Sequence, residues 1–193
     1  DRRPGHRGRL LAWGPLQQPA QLIAQSVTVR GAHLHRGVRL PPVLGRRDLL
    51  DVALGKAIDA GWIDGPRIVP AGHAITPTGG HLDPTMFAAF MPGVLELTVE
   101  EGIANGVDEV RKAVRYQIKH GAQLIKVCVS GGVMSLTGEA GAQHYSDDEL
   151  RAIVDEAHRR GLRVAAHTHG AEAVKHAVAC GIDCIEHGFL MDD

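Results

Sequence analysis

Aromatic residues are scarce in this sequence: three Phe, two Trp and two Tyr among 193 residues. Excess charge is missing too, since 21 Lys and Arg nearly balance 22 Asp and Glu. The chain therefore has no array of stacking rings and no chain-wide basic field, and nucleic acid is not an expected partner. A small molecule is. Only three cysteines occur, Cys128, Cys180 and Cys184. They are odd in number and lie in segments that read as buried strand or helix end, which argues against a disulfide framework and points to a reducing, cytoplasmic setting. No apolar run approaches the length of a membrane span, and the opening Asp1-Arg-Arg-Pro lacks the charged-then-apolar order of a secretory signal. No membrane partner is expected. There is no initiator Met, so the chain reads as truncated. What remains is a composition 44% hydrophobic, enough for one substantial core.

Two regions differ in composition. Residues 1–47 contain no Lys or Glu, have Asp1 as their only acid, and are broken by Pro4, Pro15, Pro19, Pro41 and Pro42. Only Gln21 to Val29 carries a short β-prone signal there, and a poorly ordered or aberrant leader is expected. From Asp48 to Asp193 helix-period segments alternate with short β-branched runs, the pattern of βα repeats around a parallel sheet. Helices are predicted over Leu49–Ala60, Val107–His120, Ser146–Arg160 and Ala171–Ala179. Each ends near a glycine, and Ser146 with Glu149 forms a capping box. Strands are predicted over Arg67–Ala71, Leu124–Val129, Arg163–Ala166 and Ile182–Ile185. Four parallel strands cannot close a barrel of eight, and their edges would be apolar and unpaired. An incomplete chain or a homo-oligomer follows. On pattern alone a small open doubly wound sheet stays an alternative.

Three successive predicted strands end in residues able to bind metal or do chemistry: Lys126 in Leu-Ile-Lys-Val, His167 in Ala-Ala-His-Thr-His-Gly, and His187 in Ile-Glu-His-Gly. In α/β barrels the C-terminal strand ends converge on one point, so such residues meet in space although far apart in sequence. A strand-end histidine taken alone is more often a hydrogen-bonded structural residue. Lys126 is different, because its apolar neighbours predict a buried strand in which desolvation favours the neutral amine. A neutral amine can form a Schiff base, or take up carbon dioxide as a carbamate whose oxygens bridge divalent metals.

The segments Leu124-Ile-Lys-Val-Cys-Val-Ser-Gly-Gly-Val-Met-Ser, Val164-Ala-Ala-His-Thr-His-Gly and Gly181-Ile-Asp-Cys-Ile-Glu-His-Gly resemble imidazolonepropionase-like members of the amidohydrolase superfamily, a branch that includes Xaa-Pro dipeptidases. The resemblance covers about Asp48 to Asp193. It implies a (β/α)8 TIM barrel of which this chain supplies roughly the middle βα units. It further implies metal-dependent hydrolysis of a C–N bond in a small amide, lactam or dipeptide by a metal-activated water. By the same resemblance Lys126 is carboxylated and bridges two divalent ions, zinc expected, with His167 and His187 as further ligands. The general-base aspartate of the family is expected beyond the C-terminus. The early His-x-His pair has no family-like counterpart: His33 and His35 have the right letters in the wrong surroundings. Gly37 to Asp48 resembles a garbled form of the family segment preceding the first helix, as a reading-frame error upstream of Gly45 would produce. The chain alone is expected to turn over weakly or not at all.

His81, in Thr-Gly-Gly-His, is a candidate substrate contact on a glycine-rich loop, with an exposed loop histidine as the plainer reading. Tyr145, after His144, could reach a carbonyl or carboxylate in the pocket, or simply pack. His169, expected at the start of a helix, could bind substrate or support the metal shell. Gly131 and Gly132 read as a tight turn, since they lack the spacing and lysine of a phosphate loop. Phe87, Phe90 and Met91 suggest a helical lid or ordinary core. Two other functions stay open: a metal-free Schiff-base lyase using Lys126, which the strand-end histidines argue against, and a non-catalytic remnant or assembly fragment.

Overall fold

The computed structural model describes residues 28–29, 49–83, 85, 97–136 and 138–192. The remaining leader residues, with His33, His35 and the Gly37–Asp48 segment, lie outside the described residues, as do Phe87, Phe90 and Met91. In chain order the elements are β1 (Thr28–Val29), α1 (Leu50–Asp59), β2 (Ile68–Val69), α2 (Gly106–Lys119), β3 (Ile125–Cys128), α3 (Asp147–His158), β4 (Val164–Gly170), α4 (Ala171–Ala179) and β5 (Cys184–Leu190), with a 3-10 turn at Val99–Glu101. The fold is α/β. Strands β3, β4 and β5 lie side by side in that order, all parallel, joined by α3 and α4.

The helices cover one face of this sheet. Val110, Ala113 and Val114 of α2, Leu150, Ile153 and Ala157 of α3, and Ala173 and Ala177 of α4 pack with Ile125 and Val127 of β3 and Val164 and Ala166 of β4 in one buried cluster. The helical residues recur at three- and four-residue intervals and the strand residues at two, so each element gives one side to the same core. On the opposite face Leu124 and Ala165 form a small buried group with Ala71. Helix α3 opens with the expected capping box: Ser146 Oγ accepts from Glu149 N, and Glu149 Oε2 accepts from Ser146 N at 2.9 Å. The other oxygen of Glu149 accepts from Gly106 N at 2.7 Å, tying the start of α2 to the start of α3. A second capping box, Thr98 with Glu101, orders the 3-10 turn.

The structure corrects three expectations. The predicted strand at Arg67–Ala71 shrinks to Ile68–Val69, which pairs antiparallel with β1 and stands outside the parallel sheet. Pro70 supplies no N–H for a ladder; its carbonyl accepts from Gln123 and Leu124 N. The chain then rejoins β3 at Ile75, whose N–H bonds to Lys126 O and whose carbonyl accepts from Cys128 N. Among the described residues the parallel sheet thus has three strands rather than four. Second, β4 and β5 run further than predicted, because the ladder continues through His167, Thr168 and His187. Third, His169 is therefore strand, not helix start.

Glu156 carries an ionic link between helices. It is 3% exposed and accepts two hydrogen bonds from Arg115, at 2.8 and 2.9 Å. The guanidinium holds its carboxyl below the ordinary 4.5. A carboxylate whose folded pKa is depressed adds stability above the unfolded value, and that stability is lost as pH falls through the folded value. Thermal denaturation at pH 7 and pH 3.5 is expected to show Glu156→Gln less stable than wild type at pH 7, with a smaller loss on acidification; equal pH dependence would show that Glu156 is not the group involved.

Candidate active site

Strand alternation builds the site. Since Ile125 and Val127 face the helices, Lys126 faces the other way, and the register places Lys126 beside Ala165, Cys128 beside His167, and His167 beside Glu186. Lys126, His167 and Glu186 therefore share the face away from the helices. Lys126 is 4% exposed, and its ammonium pairs with Glu186 Oε2. His187 does not follow from alternation, which would return it to the helix face beyond Ile185. Its φ of +78° and a register shift between Thr168 and Gly170 break the pattern. The ring swings back to lie 4.7 Å from that of His167 and 5.0 Å from that of His169, stacked on the latter. Left-handed φ is uncommon for a residue with a Cβ, and such strain gathers at functional sites.

His81 reaches the same place from the loop after residue 76. The turn is set by Gly80 N to Pro77 O at 2.9 Å, and by Asp83, whose carboxylate accepts from Gly79 N at 2.7 Å. The His81 ring stacks on His167 with centroids 4.1 Å apart and holds Ser135 Oγ with Nδ1 at 2.9 Å. Gly132 passes under that ring so closely that any Cβ would collide with it. Closeness to that ring is thus what favours glycine there. His169 lies edge-on to His167 at 4.8 Å, and its N–H donates to Ser130 Oγ at 3.0 Å.

Of the six residues singled out in the sequence, the structure brings five together: Lys126, His167, His187, His81 and His169. Tyr145 is the correction. Its side chain is buried in the core and its hydroxyl donates to Ala104 O at 2.9 Å, the packing alternative rather than the substrate contact. Glu186 is hidden in the sequence by its neighbour in Ile-Glu-His-Gly; its signal is the two-residue alternation of β5, which puts it on the face of His167.

Burial pulls the imidazoles toward their uncharged form. His167 is pulled down to about 3 by burial and then by His81, His187, His169 and Lys126; His81 is pulled down to about 4, first by burial and then by His144. His169, His187 and His144 are lowered by burial as well. Near neutral pH each imidazole therefore keeps a lone pair free to bind a cation. Burial also brings Lys126 from 10.5 to about 8, raising its neutral fraction at pH 7 from ~0.03% to ~9%. His144 Nδ1 is buried with no hydrogen-bond partner. This donor set suits a divalent metal chemically. Among the described residues no three His, Cys, Asp or Glu side chains are already gathered about one point, so binding would require the rings to turn.

Residues 46–193 match the profile of the amidohydrolase family. The chain belongs to that family. Ochratoxinase of Aspergillus niger is 37% identical over 180 aligned residues, covering 84% of this chain and 37% of that protein. A Xaa-Pro dipeptidase solved with methionine in its active site superposes with a TM-score of 0.72 at 41% identity, over 77% of this chain and 36% of the other. A prolidase complexed with N-methylphosphonate-L-proline gives 0.66 at 41% identity, over 72% and 35%. The chain thus spans little over a third of the length of these amidohydrolase relatives.

The strain at His187 is open to test. Glycine accepts φ of +78° without the Cβ clash, whereas alanine keeps the clash and loses the ring. His187→Gly is expected to be more stable than His187→Ala by about 1 kcal/mol in urea denaturation; an alanine variant at least as stable as the glycine one would remove strain from the account.

Proposed function

We propose that this chain carries part of the active site of a metal-dependent amidohydrolase that cleaves a C–N bond in a small amide or dipeptide. The observation that carries this reading is the convergence of Lys126, His167 and His187 on one side of three adjacent parallel strands. Relatives named ochratoxinase, Xaa-Pro dipeptidase and prolidase support the bond type. In this reading β3, β4 and β5 are consecutive strands of a (β/α)8 barrel with the site at their C-terminal ends.

Lys126, as a carbamate, and His167 and His187 would hold the cation, with His169 and His81 beside them. When bound, divalent metal, zinc or a pair of zinc ions, would polarise the scissile carbonyl and activate water. The protein's own part is positional. The carbonyl of Gly131 lies 3.4 Å from His167 Nε2 and helps orient that ring. Ser135 fixes Nδ1 of His81, leaving its other nitrogen to contact a substrate. The helix-side core keeps water from the back of the sheet. The lowered pKa of Lys126 would also suit a Schiff base, but the ring of neutral imidazoles around it has no use in that chemistry.

Elemental analysis of chain purified with zinc and bicarbonate tests the reading. Stoichiometric zinc is expected in the wild type and at least about a tenfold loss of affinity in Lys126→Ala. Retention of zinc by the variant at wild-type affinity, or none in the wild type, would sink it. Among the described residues no helix is long and apolar enough to cross a membrane, and a substrate arriving through water fits the reading.

A further inference from the structure

Asparagine is among the residues best suited to open a helix, because its side chain can accept from an amide of the first turn. Asn105 stands at that place before α2 and makes no such bond. Carboxylates serve the amides instead: Glu109 accepts from Asn105 N at 2.8 Å and Glu149 from Gly106 N at 2.7 Å. The Asn105 side chain is turned across to the loop that carries His81. Its Oδ1 accepts from Thr78 N at 3.1 Å, and its Nδ2 donates to Thr78 Oγ1 at 3.0 Å. We propose that Asn105 is a positioning residue for His81, a strut from the start of α2 that keeps the ring in its stack on His167. What this means for a substrate rests on the reading of His81 above; the placement of the ring does not.

Bonds inside the loop give it shape: Gly80 N to Pro77 O, Asp83 N to Gly80 O, and Gly79 N to the Asp83 carboxylate. Its place against the sheet comes from outside, from residues 102–105. Thr76 N donates to Gly102 O at 2.9 Å and Thr76 O accepts from Ala104 N at 3.0 Å; Asn105 continues the same line to Thr78. That segment is itself firmly seated. Gly102, at φ +91°, passes so close to Ala74 O that no Cβ would fit, and Tyr145 donates to Ala104 O from the core. Thr76 Oγ1 also donates to His81 O at 2.7 Å, but one bond at the carbonyl leaves the ring free to turn about it. A second fixed point is needed to set its direction. Gly79, at φ +72°, and Gly80 lie between Thr78 and His81 and give the backbone little stiffness of its own. Ser135, which holds His81 Nδ1, follows the exposed Val133 and Met134 and offers a softer anchor than the seated segment behind Asn105.

Proton NMR of the metal-free chain reads the stack directly, because each ring shifts the protons of the other upfield; the His81 signals are assigned by their absence in His81→Gln. Wild type is expected to show displaced His81 ring protons with cross-relaxation to His167. Asn105→Ser keeps a residue that can open the helix but is too short to reach Thr78, and it should lose both signals. Asn105→Asp, whose carboxylate can accept from Thr78 N and Oγ1, should keep them. Thr78→Val, an exposed loop change that removes one of the two bonds, should move the ring protons in the same direction by less. Glu156→Gln, which lowers stability far from the loop, should leave them in place. The inference is overturned by a wild-type chain without the stacking signature, by an Asn105→Ser or Thr78→Val chain that retains it unchanged, or by a Glu156→Gln chain that loses it, since the ring would then follow stability alone. No metal enters these readings, so failure of zinc binding leaves the strut standing, and loss of the strut leaves the metal reading standing.

Discussion

A lysine in the middle of a fully buried strand must be solvated by the protein. Every residue from Leu124 to Val129 is buried, so water cannot serve the Lys126 ammonium, and an unpaired charge there would cost several kcal/mol or be given up. Glu186 answers that demand from two strands away. For the pair to meet, β3, β4 and β5 must hold one register, and α3 and α4 must lie on the opposite face to leave room. The requirement placed on one side chain thus reaches the order and alignment of the whole parallel sheet.

Much of this was legible in the sequence, for identifiable reasons. Helices α2, α3 and α4 carry apolar periodicity and end near glycines, Gly181 in the case of α4. Lys126, His167 and His187 stood out through their strand-end positions and a family resemblance. What failed was local inference where tertiary pairing decides. The segment Arg67–Ala71 has strand-like residues, but Pro70 and the rejoining of the chain at Ile75 deny it a place in the parallel ladder. Strands β4 and β5 run past their sequence bounds because histidine and glycine carry no strong strand signal. Pairing with a neighbour extends them. Tyr145 looked equally suited to pocket and core, and only the position of Ala104 O chose between them.

Glu186 teaches a different lesson. Two-residue alternation from the lysine strand through the register leads to Glu186 rather than to His187. His187 enters the site only by violating that alternation, with a left-handed backbone and a shifted ladder. Neither departure leaves a trace in the sequence except the glycine that follows it, Gly188, also at positive φ.

The two faces of the sheet therefore answer to different demands. Residues facing the helices, such as Val127 and Ala166, are apolar and set stability through packing. Residues on the other face, Lys126, His167, His169 and Glu186, hold charge or lone pairs close together at a cost in desolvation. Alternation keeps the demands apart along β3 and β4, so changes in the core and changes in the site should act largely independently. At His187 the separation ends, because one residue supplies a ring to the site while bending the ladder that aligns Glu186 with His167. Stability and chemistry are coupled at that position by geometry, and there a gain in one is expected to be taken from the other.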